Sequence, residues 1–325
     1  MTTPLWEADP LVLGPLLGVG VAYLIGYRRY SRRRHADTSY RARGGLFLVG
    51  YAALAAALAS PLHTVGEQYF AVHMVQHLLL SLVAPPLLLL SSSMPVLLWA
   101  VPERPRITFG RLVGRPGAIR SALKGLTHPM VAWWLFVGTL WAWHQPLAYD
   151  WALENRWAHY LEHISFFVTA ILFWWPVIGA PPLPSPLGYP ARLAYTFLAW
   201  LPSTMLGAGI NLARAPLYAY YAASAQVTGV DATFDQQLAG LIMWVPGDVL
   251  FATILLFLLV AFMQQEERKA ERLDREWDAS GKVIEQHVDY PARYGGVDPH
   301  GQGDARDLAV ALEAAGQGAP QRDES

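Results

Sequence analysis

Four histidines recur at one helical spacing inside apolar sequence. His73 and His77 lie in YFAVHMVQHLLL, residues 69–80, and His159 and His163 in RWAHYLEHISFF, residues 156–167. Residues four apart share a helix face, with Cβ atoms about 5–6 Å apart, so each pair can clamp one ion or present one ligand to each of two ions. Imidazole suits copper, zinc, iron and nickel. His63 in PLHTVGEQ and His144 in LWAWHQP lie close to the same segments. A lone histidine at such a place usually hydrogen-bonds and anchors the chain. Two matched pairs with two further histidines nearby favour a metal or haem site instead.

Other chemistry-bearing residues are secondary candidates. Met205 and Met243 offer thioethers, which favour Cu(I), although methionine in an apolar helix is usually packing. Asp231 and Asp235 offer outer ligand oxygens, or a solvated loop and a helix cap. Glu162 adjoins the second pair and is suited to orient an imidazole. Asp248, in MWVPGDVLF, is the one carboxylate deep in an apolar run. It has three open roles: pairing with a polar group, carrying protons, or bonding backbone freed by Pro246.

The elements that position these residues follow from composition. Of 325 residues 54% are hydrophobic and only 15% charged, and the mean hydropathy is +0.25. That is too apolar for a soluble domain of this length and predicts a multi-pass membrane protein. A span needs roughly 20 mostly apolar residues. Seven segments meet this approximately: 9–27, 44–60, 69–92, 129–145, 157–178, 191–212 and 237–263. The expected fold is an all-α integral membrane protein, a seven-transmembrane-helix bundle over residues 1–265. Pro85 and Pro86 interrupt the third segment, and Pro176, Pro202 and Pro246 fall in or near later ones, where freed carbonyls must find partners. Thirteen tryptophans and fifteen tyrosines suit anchoring at the two membrane interfaces. Residues 266–325 form the expected cytoplasmic tail. EERKAERLDREW extends the last helix, and the Gly-, Asp-, Pro- and Gln-rich sequence beyond about residue 290 is expected to be disordered apart from a turn of helix at LAVALEAA.

Arginine and lysine set the orientation. The first connection carries Arg28, Arg29, Arg32, Arg33, Arg34, Arg41 and Arg43, and the third carries Arg104, Arg106, Arg111, Arg115, Arg120 and Lys124. The second, fourth and sixth hold only Arg156 and Arg214, beside Glu67, Asp150, Glu154, Asp231 and Asp235. The positive-inside rule then puts the N-terminus outside and the C-terminus in the cytoplasm. Arginines follow the first segment and none precede it, which predicts a retained anchor. His63, His73, His77, His144, His159 and His163 all fall near the external face, whereas His35, His128, His287 and His300 are scattered on the cytoplasmic side.

Several chemistries are excluded or unsupported. With no cysteine there are no disulfides, thiolate metal sites, iron–sulfur clusters or thiol catalysis. No HExxH, phosphate loop or nucleophile–base–orienter set is present, so the chain reads as a non-enzyme. Topology and anionic lipid account for the arginine-rich connections without nucleic acid. Three rivals remain: a bis-histidine haem b electron-transfer protein, a membrane metal-dependent enzyme, and a copper transporter. A transporter needs ligands along a full path, and these histidines stop in one leaflet.

HMVQHLLL, WAWHQPLAYDWAL, HYLEHISFF and DQQLAGLIMWVPGD together resemble the CtaG family of bacterial cytochrome c oxidase assembly factors, the polytopic kind. The likeness covers roughly residues 10–262. It implies a seven-span protein of the bacterial inner membrane that matures a haem–copper oxidase by delivering or inserting copper. The resemblance carries over His73, His77, His159 and His163 as metal residues, with His63 and His144 alongside. It carries Asp235, Met243 and Trp244 less securely. Copper, as Cu(I) or Cu(II), is the implied metal, with zinc or haem as alternatives. Membrane lipid, cytochrome c oxidase subunits and a soluble copper donor on the external side are the implied partners.

Overall fold

The computed structural model describes residues 9–33, 38–114, 117–181 and 184–279. LAVALEAA, His35, His287 and His300 lie outside the described residues. Two compact units divide the chain, Met1–Gln264 and Gln265–Ser325, and the candidate site lies in the first.

The described residues are all-helical, without strands. In chain order the helices are α1 (Pro10–Arg33), α2 (Thr38–Ala59), α3 (Pro61–Gly66), α4 (Phe70–Leu78), a π-helical segment (Leu79–Val83), α5 (Ala84–Leu90), α6 (Ser93–Ala100), α7 (Glu103–Gly114) and α8 (Ala118–Leu126). They continue as α9 (Pro129–Trp143), α10 (Pro146–Glu154), α11 (Arg156–Ile178), α12 (Tyr189–Leu212), α13 (Ala219–Thr228) and α14 (Ala232–Ala279). Six helical stretches are long and apolar enough to cross a membrane: Pro10–Arg32, Tyr40–Ala59, Phe70–Leu90, Arg156–Ile178, Tyr189–Leu212 and Ala232–Trp277. The expected fourth span, α9, has 15 residues between Pro129 and the His144–Gln145–Pro146 turn. At 1.5 Å per residue it is about 22 Å long, shorter than the roughly 30 Å hydrocarbon layer. The third connection is not a plain loop but three helices, α6 to α8.

Prolines shape the stretch that carries the first histidine pair. Pro85 and Pro86 have no N–H to return to the preceding turn, and the helix widens to π form just before them, where the Ala84 N–H bonds the Leu79 carbonyl. The Ser81 carbonyl, which would face Pro85, accepts instead from the Trp174 indole at 2.9 Å. A kinked membrane helix is tolerated when a neighbour satisfies the freed group in this way. The same indole ties this stretch to α11.

Close helix approach elsewhere depends on glycine. A Cβ at Gly26 of α1 would stand 2.0 Å from the Val96 carbonyl of α6, and one at Gly240 of α14 would stand 2.4 Å from the Asn211 nitrogen of α12. Small residues at such crossings let two backbones touch, which is how membrane helices associate without a hydrophobic driving force between them. The bundle core is aromatic, with Phe136, Phe173, Trp174 and Phe251 buried together in one cluster. A second cluster, containing Phe70, Met74, Phe166 and Tyr218, lies beside the histidines.

Candidate metal centre

Helix caps place the two histidine pairs. The Asn155 side chain accepts from the Trp157 and Ala158 N–H groups at 2.9 and 3.2 Å, starting α11 one turn before His159. Residues 159, 162 and 163 then fall at i, i+3 and i+4 and share one face. Tyr69, which precedes α4, makes no side-chain cap bond. Asp235 of α14 supplies the cap from a distant part of the chain: its carboxylate accepts from Phe70 N–H at 2.7 Å and Ala71 N–H at 3.1 Å. That bond fixes the start of α4 one turn before His73. Asp150 does the same for α13, accepting from the Ala219 and Tyr220 N–H groups, each at 3.1 Å.

The two faces meet. Ring centroids are 4.3 Å apart within each pair, and 5.3 to 5.7 Å apart for His73–His159, His73–His163 and His77–His163. Two groups of ligand atoms result. His73, His77, Glu162 and His163 form one, entirely buried; His63, His159 and His163 form the other, with His63 half-buried. Within each group the donor atoms lie within 4.8 Å of one another, and His163 belongs to both.

Hydrogen bonds settle which imidazole nitrogens are free. Tyr221 of α13 donates its one hydroxyl proton to the Gly66 carbonyl at 2.7 Å. It can therefore only accept from His73 Nδ1, at 2.9 Å, so the His73 proton sits on Nδ1 and Nε2 is left as a lone pair. The Leu140 carbonyl fixes His144 the same way, accepting from Nδ1 at 2.7 Å. Gln76 donates one amide proton to the Ala57 carbonyl at 2.7 Å and the other to His63 Nδ1 at 3.3 Å, which puts the His63 proton on Nε2.

What remains is a concentration of polar atoms without partners. His73 Nε2, both nitrogens of His77, Nε2 of His144, His159 and His163, and both oxygens of Glu162 are buried and make no hydrogen bond. Glu162 is 0% exposed, and its oxygens stand 3.5 Å from His77 Nε2 and 3.9 Å from His73 Nε2. Buried polar groups are almost always bonded, so eight orphans in one place require an explanation. An unpaired buried carboxylate charge costs several kcal/mol, and a cation removes that cost. Two donors each about 2.0–2.1 Å from a tetrahedral ion lie roughly 3.4 Å apart, close to the spacing found around Glu162. These residues fit a metal ion.

The sequence candidates divide by position. His73, His77, His159, His163 and His63 come together in the two groups. His144 stands next to them, its ring 5.9 Å from that of His77, but belongs to neither group. Met243 lines a small cavity with His77, His144 and Met74. Met205 is 66% exposed on the outer surface of α12. Asp235 is committed to capping α4, and Asp231 accepts from Phe234 N–H at 2.7 Å at the start of α14. Asp248 accepts from the Trp200 indole at 2.5 Å and from the Thr204 hydroxyl, so it pairs with polar groups of α12. Glu162, expected to orient an imidazole, lies in one candidate ligand group with His73, His77 and His163. Its signal was its place on the face shared by His159 and His163.

Comparison with known proteins adds the following. The family model described as "Cytochrome c oxidase caa3 assembly factor (Caa3_CtaG)" matches residues 21–265. An uncharacterized protein of Mycobacterium leprae (strain TN) is 26% identical over 285 residues, covering 85% of this chain. Uncharacterized proteins of Mycobacterium bovis and Mycobacterium tuberculosis are each 26% identical over 284 residues, covering 84%. The chain spans 42% of the length of each of these relatives. No solved structure matches it.

Proposed function

Since the chain belongs to the cytochrome c oxidase caa3 assembly factor family, we propose that its part in assembly is to hold copper in the histidine–glutamate cluster and hand it to the oxidase. The observation that carries this reading is the orphaned imidazole nitrogens gathered with the orphaned Glu162 carboxylate. Donors converging within 4.8 Å from several helices suit a single ion, whereas a porphyrin needs the plane between its axial ligands clear of side chains. Copper here is cargo. His73, His77, Glu162 and His163 would hold it in the buried group, and His63, His159 and His163 in the half-exposed one, where His63 would ligate through Nδ1 by exchanging the Gln76 amide for the ion. Because His163 serves both, an ion can move between the groups by exchanging its other ligands while keeping this one. Imidazole and carboxylate donors suit copper, and the cluster has no thiolate to hold Cu(I) against transfer.

The arginine distribution supports a seven-span bundle in the bacterial cell membrane with the N-terminus and the cluster on the external side, reached there by a soluble copper donor and by oxidase subunits. Nothing in the cluster forms a nucleophile–base pair, which favours a metallochaperone over a catalyst.

The test is to replace the wild-type gene with a His73→Ala/His163→Ala variant and purify the oxidase. Copper per haem in the oxidase should fall well below that of wild type while haem content holds. An oxidase with full copper and full activity from that strain would overturn the reading.

A further inference from the structure

A second cavity adjoins the cluster and has a different character. It encloses about 450 Å³ between α1, α2 and α11, within the range of small-molecule sites. Its walls are apolar, with Leu11 and Val19 from α1, Leu58 from α2, and Ile164 and Phe167 from α11. Leu11, Trp157 and Ile164 are 56%, 70% and 60% exposed, so the mouth opens on the outer surface of the bundle, where hydrocarbon chains lie. The polar groups of the lining are His63, His163, Tyr160 and the indole N–H of Trp157. His163 is 5% exposed and its Nε2 has no partner.

We propose that this cavity binds a membrane-soluble quinone or hydroquinone, with the ring at His63 and His163 and the tail leaving between α1 and α11. The lining decides the class of ligand. It includes no lysine, arginine, aspartate or glutamate, and Arg156 at the end of the wall is already paired with Asp9, so a phospholipid phosphate would find no unpaired cation. His163 Nε2 is the nitrogen the copper reading also uses, so ring and ion are alternative occupants of it; with no ion bound, a purely apolar chain would leave this buried nitrogen without a partner. A neutral ring bearing oxygens on an apolar tail meets both demands. His63, whose Nδ1 accepts from Gln76, presents Nε2–H to a quinone carbonyl, and a hydroquinone hydroxyl can donate to a free imidazole nitrogen.

The α1 wall is held at both ends and tied to α2 between them, where the Tyr51 hydroxyl donates to the Leu16 carbonyl at 2.7 Å. Gly26 presses it against α6, and at the other end the Asp9 carboxylate accepts from Arg156 at 2.8 Å and from the Tyr160 hydroxyl. Asp9 lies outside the span. Partial desolvation pushes its pKa up, but the bonds from Tyr160 and Arg156 outweigh that and hold it below the ordinary aspartate value.

The proposal does not rest on the copper reading, and it is tested on the full chain in phosphatidylcholine nanodiscs with a photoactivatable azido-benzoquinone carrying a decyl tail. Labelling should saturate, map to peptides of residues 11–19 and 157–167, and be competed by decyl-benzoquinone. Leu58→Trp fills the cavity without touching a donor and should reduce labelling at least tenfold with metal content unchanged. Should that variant not accumulate as monodisperse protein, Val12→Phe fills the same space from α1. Unsaturable label spread over the lipid-facing helices, full labelling of a folded filled variant, or competition by phosphatidylglycerol and not by quinone would each overturn the proposal. Metal analysis of the same samples separates the two readings, because a protein that binds quinone and no metal removes only the copper assignment.

Discussion

Replacing Glu162 by glutamine keeps the shape of the side chain and removes its charge, and two opposite effects should follow. The oxygens stand 3.5 and 3.9 Å from the Nε2 atoms of His77 and His73, the separation of two donors on a common ion. Loss of a residue that only orients a ligand weakens metal binding 10–100-fold. Loss of the anionic donor itself should reach at least the upper end, about 100-fold or ~2.7 kcal/mol. In metal-free protein the sign reverses. The variant no longer buries an uncompensated carboxylate, and its amide N–H groups face free imidazole nitrogens. After allowing for a partly unsatisfied amide, a gain of about 1–2 kcal/mol is reasonable, a few degrees in unfolding midpoint for a domain of this size. Chelator-competition titration with copper gives the first quantity, and thermal unfolding of chelator-treated protein gives the second. Unchanged copper affinity, or a lower midpoint in the metal-free variant, would make Glu162 a structural residue and refute the argument.

Tyr221→Phe removes the acceptor that fixes the His73 tautomer and leaves the Gly66 carbonyl unpaired; copper affinity should fall roughly 10–100-fold and stability by about 1–3 kcal/mol, read by titration and unfolding. Asp235→Ala strips two buried N–H groups of their acceptor at the start of α4; it should destabilise the protein by about 2 kcal/mol and leave the number of bound ions unchanged, whereas loss of an ion would make Asp235 a ligand. Single cysteines introduced into this cysteine-free chain should react with an impermeant reagent from outside intact cells at residues 145–156 and not at 101–127. The reverse pattern would move the cluster to the cytoplasmic face.

Local spacing was enough to find the histidine pairs, because four residues is nearly one helical turn whatever surrounds it. The extension of the last helix through EERKAERLDREW was legible for the same reason, and α14 runs unbroken to Ala279. Glu162 was visible as a neighbour of His163 but its approach to His73 and His77 was not, since that depends on the opposing helix. Partners far along the chain were not legible. Tyr221 meets His73 across 148 residues, and Asp235 caps Phe70 across 165. Apolar periodicity cannot separate the lipid-facing side of a membrane helix from its interior, as both are hydrophobic. That is why Met205, exposed on α12, and Met243, lining a cavity on α14, read alike in sequence. The π-helical segment before Pro85 and Pro86 was signalled only as an interruption, because the form of the break depends on which neighbour takes the freed carbonyl.

The central claim is that imidazole and carboxylate groups of α4 and α11 bind copper together. X-ray absorption at the copper edge, on protein loaded with copper and washed free of excess, tests it most directly. Nitrogen and oxygen neighbours at about 2.0 Å with imidazole outer-shell scattering are expected, together with loss of bound copper in both His73→Ala/His77→Ala and His159→Ala/His163→Ala. Absence of bound copper in the wild type, or full copper with an unchanged spectrum in either double variant, would contradict it.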